Sequence, residues 1–338
     1  CEFVFPIIFE NYNNFKNINV IFMSPDNRDK YLKDSIFKKI TKLSKVNILC
    51  PENKFKKLIT FLKISFNSKY IFHSEDMINN QNIIINFLSK IFIKKRILFK
   101  HTSSPWFKRY KVENIEYSRN FNRDKKKPII LYDNGSIKHF LRMGFRKIVK
   151  VNDYNLSKKI DNLIKSDFSY YKQQKYILIL SYRSHPKIFS KNKRLQAYKN
   201  VLEIIKKKYP NHFIYIKPHP SEDLNDVKDI LMRFGSKNTF ITEENTTLLT
   251  KYAETTLALC TFGGYRAFAQ KKKSAIYYEH LKDWFGINET YYNTYDPQNG
   301  GIKILRNKEQ LKKFLEEPVI EYKCNYKYID LKKTYLID

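Results

Sequence analysis

A histidine stands between two prolines at the end of an apolar run, in the segment Lys217-Pro218-His219-Pro220. Each proline fixes its own φ and biases the residue before it away from helix, so the imidazole is held on a stiff loop. A protonated imidazole offers two hydrogen-bond donors, and Lys217 places a cation beside it. These residue types at this spacing suit the binding of a phosphate group, with Pro220 completing the loop. A turn that merely ends a strand is the alternative interpretation.

Two glycines provide a second candidate for anion binding, in the segment TFGGYRAF at residues 261 to 268. Gly263 and Gly264 join a predicted strand to a predicted helix, where backbone N–H groups and the positive helix end can approach an anion closely. Thr261 adds a hydroxyl. An ordinary strand-to-helix turn explains the glycines equally well.

A carboxylate follows another predicted strand, in the segment LYDNGS at residues 131 to 136. Asp133 opens an Asn-Gly turn, and taken alone such a sequence is most often only a turn. If the segment faced His219 across a cleft between two domains, Asp133 would be placed as a general base opposite a leaving group. We assign the neighbouring Tyr132, Gly135 and Ser136 to the acceptor side of that cleft.

A fourth loop, SYRSHPKIFSK at residues 181 to 191, also follows a predicted strand and contains Arg183 and a second His-Pro pair. We interpret it first as loop structure and second as a wall of a donor site, with Arg183 as a binding cation.

All four loops follow short apolar runs that alternate with amphipathic stretches. In the first half the predicted strands are INVIFMSP, KVNILCP, KYIFHS, KRILFKHTS and IILYDNGS, with FKKLITFLKISF as a helix. In the second half they are YILILSY, HFIYIKP, NTFITEE, TTLALCTF and SAIYYEH, separated by predicted helices. This alternation predicts parallel sheets covered by helices, in which ligands collect at the carboxyl ends of the strands.

The length of 338 residues predicts two domains, because single cores rarely grow beyond about 250–300 residues. A polar stretch at residues 151 to 174 places the boundary near residues 150 to 170. We therefore predict an α/β chain of two Rossmann-like, doubly wound domains facing each other across a cleft. Residues 1–150 form the acceptor side, residues 170–315 bind the donor nucleotide, and residues 316–338 form a C-terminal tail.

The net charge of +31 arises from 64 Lys and Arg against 33 Asp and Glu. Such a charge suggests a nucleic acid, an anionic membrane surface or an acidic substrate as partner. A coding bias that fills surfaces with lysine explains it equally well. No apolar run is long enough to cross a bilayer and no signal peptide is apparent, which predicts a cytoplasmic protein. The four cysteines lack zinc-site spacing, so we expect free thiols.

Several cofactor motifs are missing from the sequence. There is no GxxxxGK[ST] loop, no GxGxxG after the first strand, and no Asp-x-Asp pair to hold a divalent cation. We therefore expect neither cofactor nor metal. A bound nucleotide sugar would have to be neutralised by protein cations and dipoles, which favours a donor with a single phosphate or a metal-free site.

Together these segments resemble the bacterial sialyltransferases and polysialyltransferases of GT-B fold, over roughly residues 125 to 285. The resemblance is carried by residues 132–136, by residues 217–220, and by Cys260-Thr261. It implies an inverting, metal-independent transferase that uses CMP-sialic acid. Asp133 would deprotonate the acceptor hydroxyl, His219 would stabilise or protonate the departing CMP phosphate, and Thr261 would hydrogen-bond the same phosphate. Asn134 replaces a second carboxylate of the family pattern, and Cys260 replaces a hydroxyl.

Other readings of the sequence stay open. Capsule Kdo transferases with CMP-Kdo and teichoic-acid-type polymerases with CDP-glycerol share the His-Pro strand end. The expected partners are a nucleotide-sugar donor and an acidic or lipid-linked glycan acceptor, with peripheral contact to the anionic inner membrane surface. A basic nucleic-acid-binding protein is the alternative of another class, although no recognition helix or zinc finger supports it. An inactive GT-B-like domain is a further alternative, and Asn134 and Cys260 are where decay would show.

Overall fold

The computed structural model describes residues 8–9, 12–22, 25–68, 70–74, 91, 95–99, 109–112, 115–118, 129–131, 146–150, 158–181, 190–219, 222–259, 261, 263–277, 279 and 302–318. The chain divides into two compact units, with the main division between Asp161 and Asn162. The N-terminal unit comprises Cys1–Arg109, Ser118–Asp161 and Tyr326–Asp338, and the C-terminal unit comprises Tyr110–Tyr117 and Asn162–Asn325.

Short strands form the sheets of the first half of the chain. The strands in the first half of the chain are β1 (Ile18–Ile21), β2 (Val46–Leu49), β3 (Tyr70–Ser74), β4 (Lys95–Phe99), β5 (Arg109–Val112), β6 (Ile115–Ser118), β7 (Ile129–Leu131) and β8 (Ile148–Lys150). Among the described residues, β1 pairs with β2 in parallel, and a parallel four-stranded sheet has the order β3-β4-β7-β8. β5 and β6 form a separate two-stranded sheet.

The helices of this half whose bounds the structure describes are α1 (Pro25–Leu32), α2 (Ser35–Thr41), α3 (Lys54–Asn67) and α4 (Lys158–Asp167), and α4 spans the division between the two units. The α2 helix begins where the Asp34 side chain accepts from the N–H of Phe37, and it buries Ile36, Phe37 and Ile40. The α3 helix begins in the same way, because the Asn53 side chain accepts from the N–H of Lys56 at 2.8 Å. Both caps satisfy N–H groups that have no partner within the helix.

A six-stranded parallel sheet forms the centre of the C-terminal unit. Its strands are β9 (Tyr176–Leu180), β10 (Phe213–Lys217), β11 (Thr239–Ile241), β12 (Thr255–Leu259), β13 (Ser274–Tyr277) and β14 (Lys303–Leu305). The helices are α5 (Lys191–Lys208), α6 (Leu224–Phe234), α7 (Thr246–Tyr252), α8 (Gly264–Ala269) and α9 (Lys308–Glu316). Every residue of β9 and of β12 is buried, as central parallel strands covered on both faces should be.

The strand order of this sheet is β11-β10-β9-β12-β13-β14. The chain starts at β9, moves outward through β10 and β11, and then returns to β12 on the other side of β9. The direction of winding therefore reverses between β9 and β12. In doubly wound sheets the loops that leave two such strands diverge and open a crevice at their carboxyl ends.

The predicted strands are confirmed. The stretch at residues 151–174 was predicted only as a polar boundary, but part of it is helical. It contains α4, whose Ile160 and Ile164 lie one turn apart and are each 1% exposed. Two buried side chains at this spacing are enough to fix a short helix against the core.

None of the helices that the structure describes is both long enough and apolar enough to cross a membrane.

Candidate functional site

Three loops meet the carboxyl edge of the six-stranded sheet. His219 lies two residues after β10, Thr261 lies two residues after β12, and Ser181 directly follows β9. Because the strands are parallel, their carboxyl ends share one edge, and β9 and β12 border the point where the winding reverses. His219 and Thr261, each predicted to follow a strand, thus lie at the same edge of one sheet.

The His219 turn, residues 217–222, is closed by two hydrogen bonds. The backbone N–H of His219 donates to Glu222 Oε2 at 2.9 Å, and the N–H of Glu222 donates back to the His219 carbonyl at 2.8 Å. Pro218 is buried and His219 is half-buried. The N–H and the carbonyl of His219 are therefore both held.

The Glu222 carboxylate connects this turn to the interior. It accepts from Ser181 Oγ at 2.6 Å and from the guanidinium of Arg194 on α5. The Arg194 and Glu222 side chains are only 2% and 1% exposed. Asp226 on α6 lies 3.4 Å from the other terminal nitrogen of Arg194. The His219 turn is thus tied to the end of β9 and to two helices.

Burial raises the pKa of the Glu222 carboxyl, and the bonds from Arg194, Ser181 and the His219 N–H act in the opposite direction. In this arrangement the guanidinium balances the negative charge of the carboxylate. A carboxylate without such a counter-charge would repel any anion that approached the imidazole.

Ser181, Arg194 and Glu222 were missed in the sequence. One signal could have found Glu222: it follows His219 by three residues, the spacing at which a side chain returns to a backbone N–H. A second signal is Arg194, a cation on the helix face that also contains the buried residues Ala197, Tyr198 and Val201. A charged residue on a buried face requires a partner.

Lys217 lies beside this turn, and its ammonium donates to the carbonyl oxygen of Glu243 at 3.2 Å. Glu243 follows β11, the neighbour of β10 on the side away from β9. The ammonium therefore lies on the outer side of the His219 turn.

The Thr261 turn, residues 261–264, is positioned by close packing. Thr261 Oγ1 accepts from the N–H of Gly263 at 3.3 Å, an arrangement in which the hydroxyl can still donate its own proton. A Cβ on Gly263 would lie 3.0 Å from Leu180 Cδ1, so the turn packs on the end of β9.

Gly264 has a structural role as well. A Cβ at this position would lie 2.9 Å from Ala258 Cβ and 3.1 Å from Ile302 Cδ1. Only glycine lets α8 approach the sheet this closely. Because α8 has only six residues, we attribute the anion-binding potential of this turn to Thr261 rather than to a helix dipole.

Glu279 adds a carboxylate that the sequence interpretation did not single out. It lies two residues after β13 and accepts from Asn200 Nδ2 at 2.8 Å and from the Tyr277 hydroxyl. Asn200 is 1% exposed on α5, so this carboxylate too is held from the interior.

The remaining predicted site residues lie outside the described residues: Asp133, Tyr132, Gly135, Ser136, Arg183, Pro220, Asn134 and Cys260. Their roles, and the cleft between two domains, stay predictions. In the part of the chain that the structure describes, no three His, Cys, Asp or Glu side chains are grouped so that they could hold a metal ion.

No family model matches the sequence, and no curated protein matches it significantly. Solved structures do match. The UDP-GlcNAc 2-epimerase from Methanocaldococcus jannaschii has a TM-score of 0.60 and 14% identity, with 96% of this chain and 92% of that chain covered. The Neisseria meningitidis UDP-GlcNAc 2-epimerase bound to UDP-GlcNAc has a TM-score of 0.54 and 12% identity, with 93% and 87% covered.

The wall teichoic acid polymerase TagF, in a structure with CDPG, has a TM-score of 0.52 and 11% identity, with 93% of this chain and 82% of that chain covered. At such identities the likeness establishes the fold. Taken with the parallel, doubly wound sheets, it confirms the expected α/β, GT-B-like fold with two Rossmann-like domains.

Proposed function

We propose that this chain is a GT-B enzyme acting on a nucleotide-activated sugar, and that it binds the nucleotide phosphate between the His219 and Thr261 turns. The single observation that carries the proposal is the His219 turn, which a buried Glu222–Arg194 pair anchors at the carboxyl edge of the sheet. This pair fixes the backbone that presents the imidazole, as the support of a binding side chain should.

The side chains at this edge suit a phosphate. The imidazole of His219 and the hydroxyl of Thr261 both donate hydrogen bonds, and bonds to an ionised acceptor are about twice as strong as neutral ones. Lys217 adds a positive charge on the outer side of the turn. The adjacent carboxylate of Glu222 is balanced by Arg194.

For the donor, we propose a CMP-activated nonulosonic acid such as sialic acid. The reaction would be a direct, inverting displacement by a hydroxyl of a bacterial surface glycan. Asp133 would take the proton from that hydroxyl, and His219 would stabilise or protonate the departing CMP phosphate. One phosphate needs few counter-charges, so we propose that no metal ion takes part.

A second candidate is a polyol-phosphate transferase that uses CDP-glycerol. The likeness to TagF with CDPG favours it, because both chains share the fold over most of their length. Both candidates use a cytidine nucleotide and release CMP, and they differ in the group transferred.

The proposed acceptor is an acidic or lipid-linked glycan. The net charge of +31 supports an anionic acceptor and a contact with an anionic membrane surface.

A donor screen in EDTA tests the proposal. The enzyme is incubated with CMP-sialic acid, CMP-Kdo, CDP-glycerol or UDP-GlcNAc, and the consumption of each donor is followed by ion-exchange chromatography. We expect consumption of a CMP-sugar that Asp133→Asn abolishes. Consumption of CDP-glycerol alone would select the second candidate, and consumption of UDP-GlcNAc alone would exclude both.

A further inference from the structure

The α3 helix of the N-terminal unit has an exposed apolar face. Phe55 and Phe66, near its two ends, are each 70% exposed. Between them Leu58, Ile59 and Leu62 are 43%, 47% and 40% exposed. Most large apolar side chains of a folded domain are buried, so five exposed ones on a single helix form an unusual surface.

These five side chains lie on one side of the helix. At 3.6 residues per turn they fall within an arc of about 100°. Lys57, Thr60, Phe61 and Ile64 point the other way and are half-buried. The helix therefore packs on its own unit through one face and leaves the more apolar face exposed.

All the charged side chains of the α3 helix are positive. The helix contains four lysines and no acidic residue. Lys56 and Lys63 lie about 40–60° beyond one edge of the apolar arc. Lys56 forms an exposed ion pair at 2.9 Å with Glu52, which precedes the helix, and such a pair is weak in water.

We infer that α3 binds the surface of an anionic lipid bilayer, lying in the interface with Phe55 and Phe66 inserted. A helix with an apolar stripe and flanking lysines has the composition of an interfacial helix. The lysine stems can follow the apolar surface while their ammonium groups reach lipid phosphates. The net charge of +31 adds long-range attraction to such a surface.

A second copy of the chain fits this face less well. The helix is about 21 Å long and about 10 Å wide, which gives a face of about 200 Å². Stable protein interfaces bury about 800 Å² per partner. Two such faces would also bring lysines of the same sign together.

Membrane binding by α3 does not depend on which nucleotide sugar the enzyme uses. Vesicle binding by α3 and nucleotide binding at the His219 turn are measured separately, so the failure of one leaves the other standing. If both hold, α3 would bring the site to a membrane-linked acceptor.

Sedimentation with vesicles tests the inference. The full chain is mixed with phosphatidylcholine vesicles containing 30% phosphatidylglycerol, at 0.1 M and at 0.5 M NaCl. High salt shortens the screening length to about 4 Å and leaves mainly the apolar contribution. We expect Phe55→Ser with Phe66→Ser to lower the partition coefficient at least tenfold at 0.5 M NaCl.

Two controls accompany this variant. Met232→Ser with Tyr170→Ser removes two exposed apolar residues, 77% and 54% exposed, from the C-terminal unit and should leave binding unchanged. Lys56→Gln with Lys63→Gln should weaken binding several-fold at 0.1 M NaCl and little at 0.5 M. Thermal unfolding of each variant verifies that it is folded.

Three results would overturn the inference. The first is that the double Phe variant binds vesicles as tightly as the wild type at 0.5 M NaCl. The second is that the wild type does not bind vesicles and the double variant has a lower melting temperature, which would mean that another segment of this chain covers the face. The third is that the wild type is a dimer by sedimentation velocity, the variant is a monomer, and neither binds vesicles.

Discussion

The His219 turn and the Thr261 turn lie at the same edge of one parallel sheet, yet different forces hold them. The His219 turn is fixed by a buried ion pair and by hydrogen bonds from residues distant in sequence. The Thr261 turn is fixed by glycines that pack against β9, β12 and Ile302. The polar network holds the His219 turn through its hydrogen-bond partners, so the turn should be sensitive to the loss of one of them. The Thr261 turn depends on close backbone packing, so it should be sensitive to added side-chain volume.

The largest expected effect is on the polar network. Glu222→Ala would leave the guanidinium of Arg194 buried without its main partner, and breaking a buried pair typically costs about 3–5 kcal/mol. We expect a loss of this size in the free energy of unfolding, measured by urea denaturation. Asp226→Ala, which removes the half-exposed second partner of Arg194, should cost about 1 kcal/mol or less.

If Glu222→Ala and Asp226→Ala were equally mild, the network would not be what holds the His219 turn. Glu222→Gln provides a finer test, because it keeps the shape and one acceptor and should fall between the two.

The next effect is on nucleotide binding alone. His219→Ala removes the imidazole but leaves the backbone bonds to Glu222 in place. A hydrogen bond to a charged group contributes about 1.5–3 kcal/mol, so CMP affinity should fall about 10- to 150-fold. The unfolding free energy should change by less than about 1 kcal/mol. A large loss of stability with unchanged affinity would make His219 a structural residue.

His212 serves as the matched control for that variant. It precedes β10, at the opposite end of the strand from His219, and bonds to Glu254 at 3.0 Å. Its replacement by alanine should leave CMP affinity unchanged.

On the packed side, Gly264→Ala is expected to be destabilising by about 1–3 kcal/mol, because the added methyl meets Ala258 and Ile302. Gly263→Ala is the matched control. Its methyl would have one tight contact, at 3.0 Å with the terminal Cδ1 of Leu180, and its other neighbours lie at ordinary distances, so the loss should be smaller. Thermal unfolding of both variants ranks them, and the reverse order would show that packing does not set this turn.

The smallest expected effect is that of Thr261→Val. It removes one neutral donor to an ionised phosphate, which is worth about 1.5 kcal/mol at the lower end of the range for bonds to charged groups, so CMP affinity should fall about tenfold. Thr261→Ser keeps the hydroxyl and should bind CMP like the wild type in calorimetry. Thr261→Val loses the hydroxyl and Thr261→Ser loses the methyl group, so equal weakening in both would show that the hydroxyl makes no specific bond to the phosphate.

Much of the fold could be predicted from the sequence, because central parallel strands are continuous apolar runs. β9 and β12 show this pattern. Four strands of three or four residues, β5, β6, β8 and β14, were not predicted. The α6 helix ends at Gly235, whose φ is −70° and where a Cβ would collide with the Leu231 carbonyl.

The sequence could predict only those candidate site residues that closely follow the end of a strand. His219 and Thr261 follow strand ends, and that alone places them at the carboxyl edge. The supporting network joins Glu222 to residues 28 and 41 positions away, Arg194 and Ser181. No local pattern encodes pairings at such separations, since they arise only when helices pack on the sheet.

Calorimetry with CMP in EDTA, on the wild type, His219→Ala and His212→Ala, tests the central claim most directly. We predict metal-free binding of CMP that is at least tenfold weaker in His219→Ala and unchanged in His212→Ala. Absence of nucleotide binding, or equal affinity in all three proteins, would contradict the assignment of the phosphate site to the His219 turn.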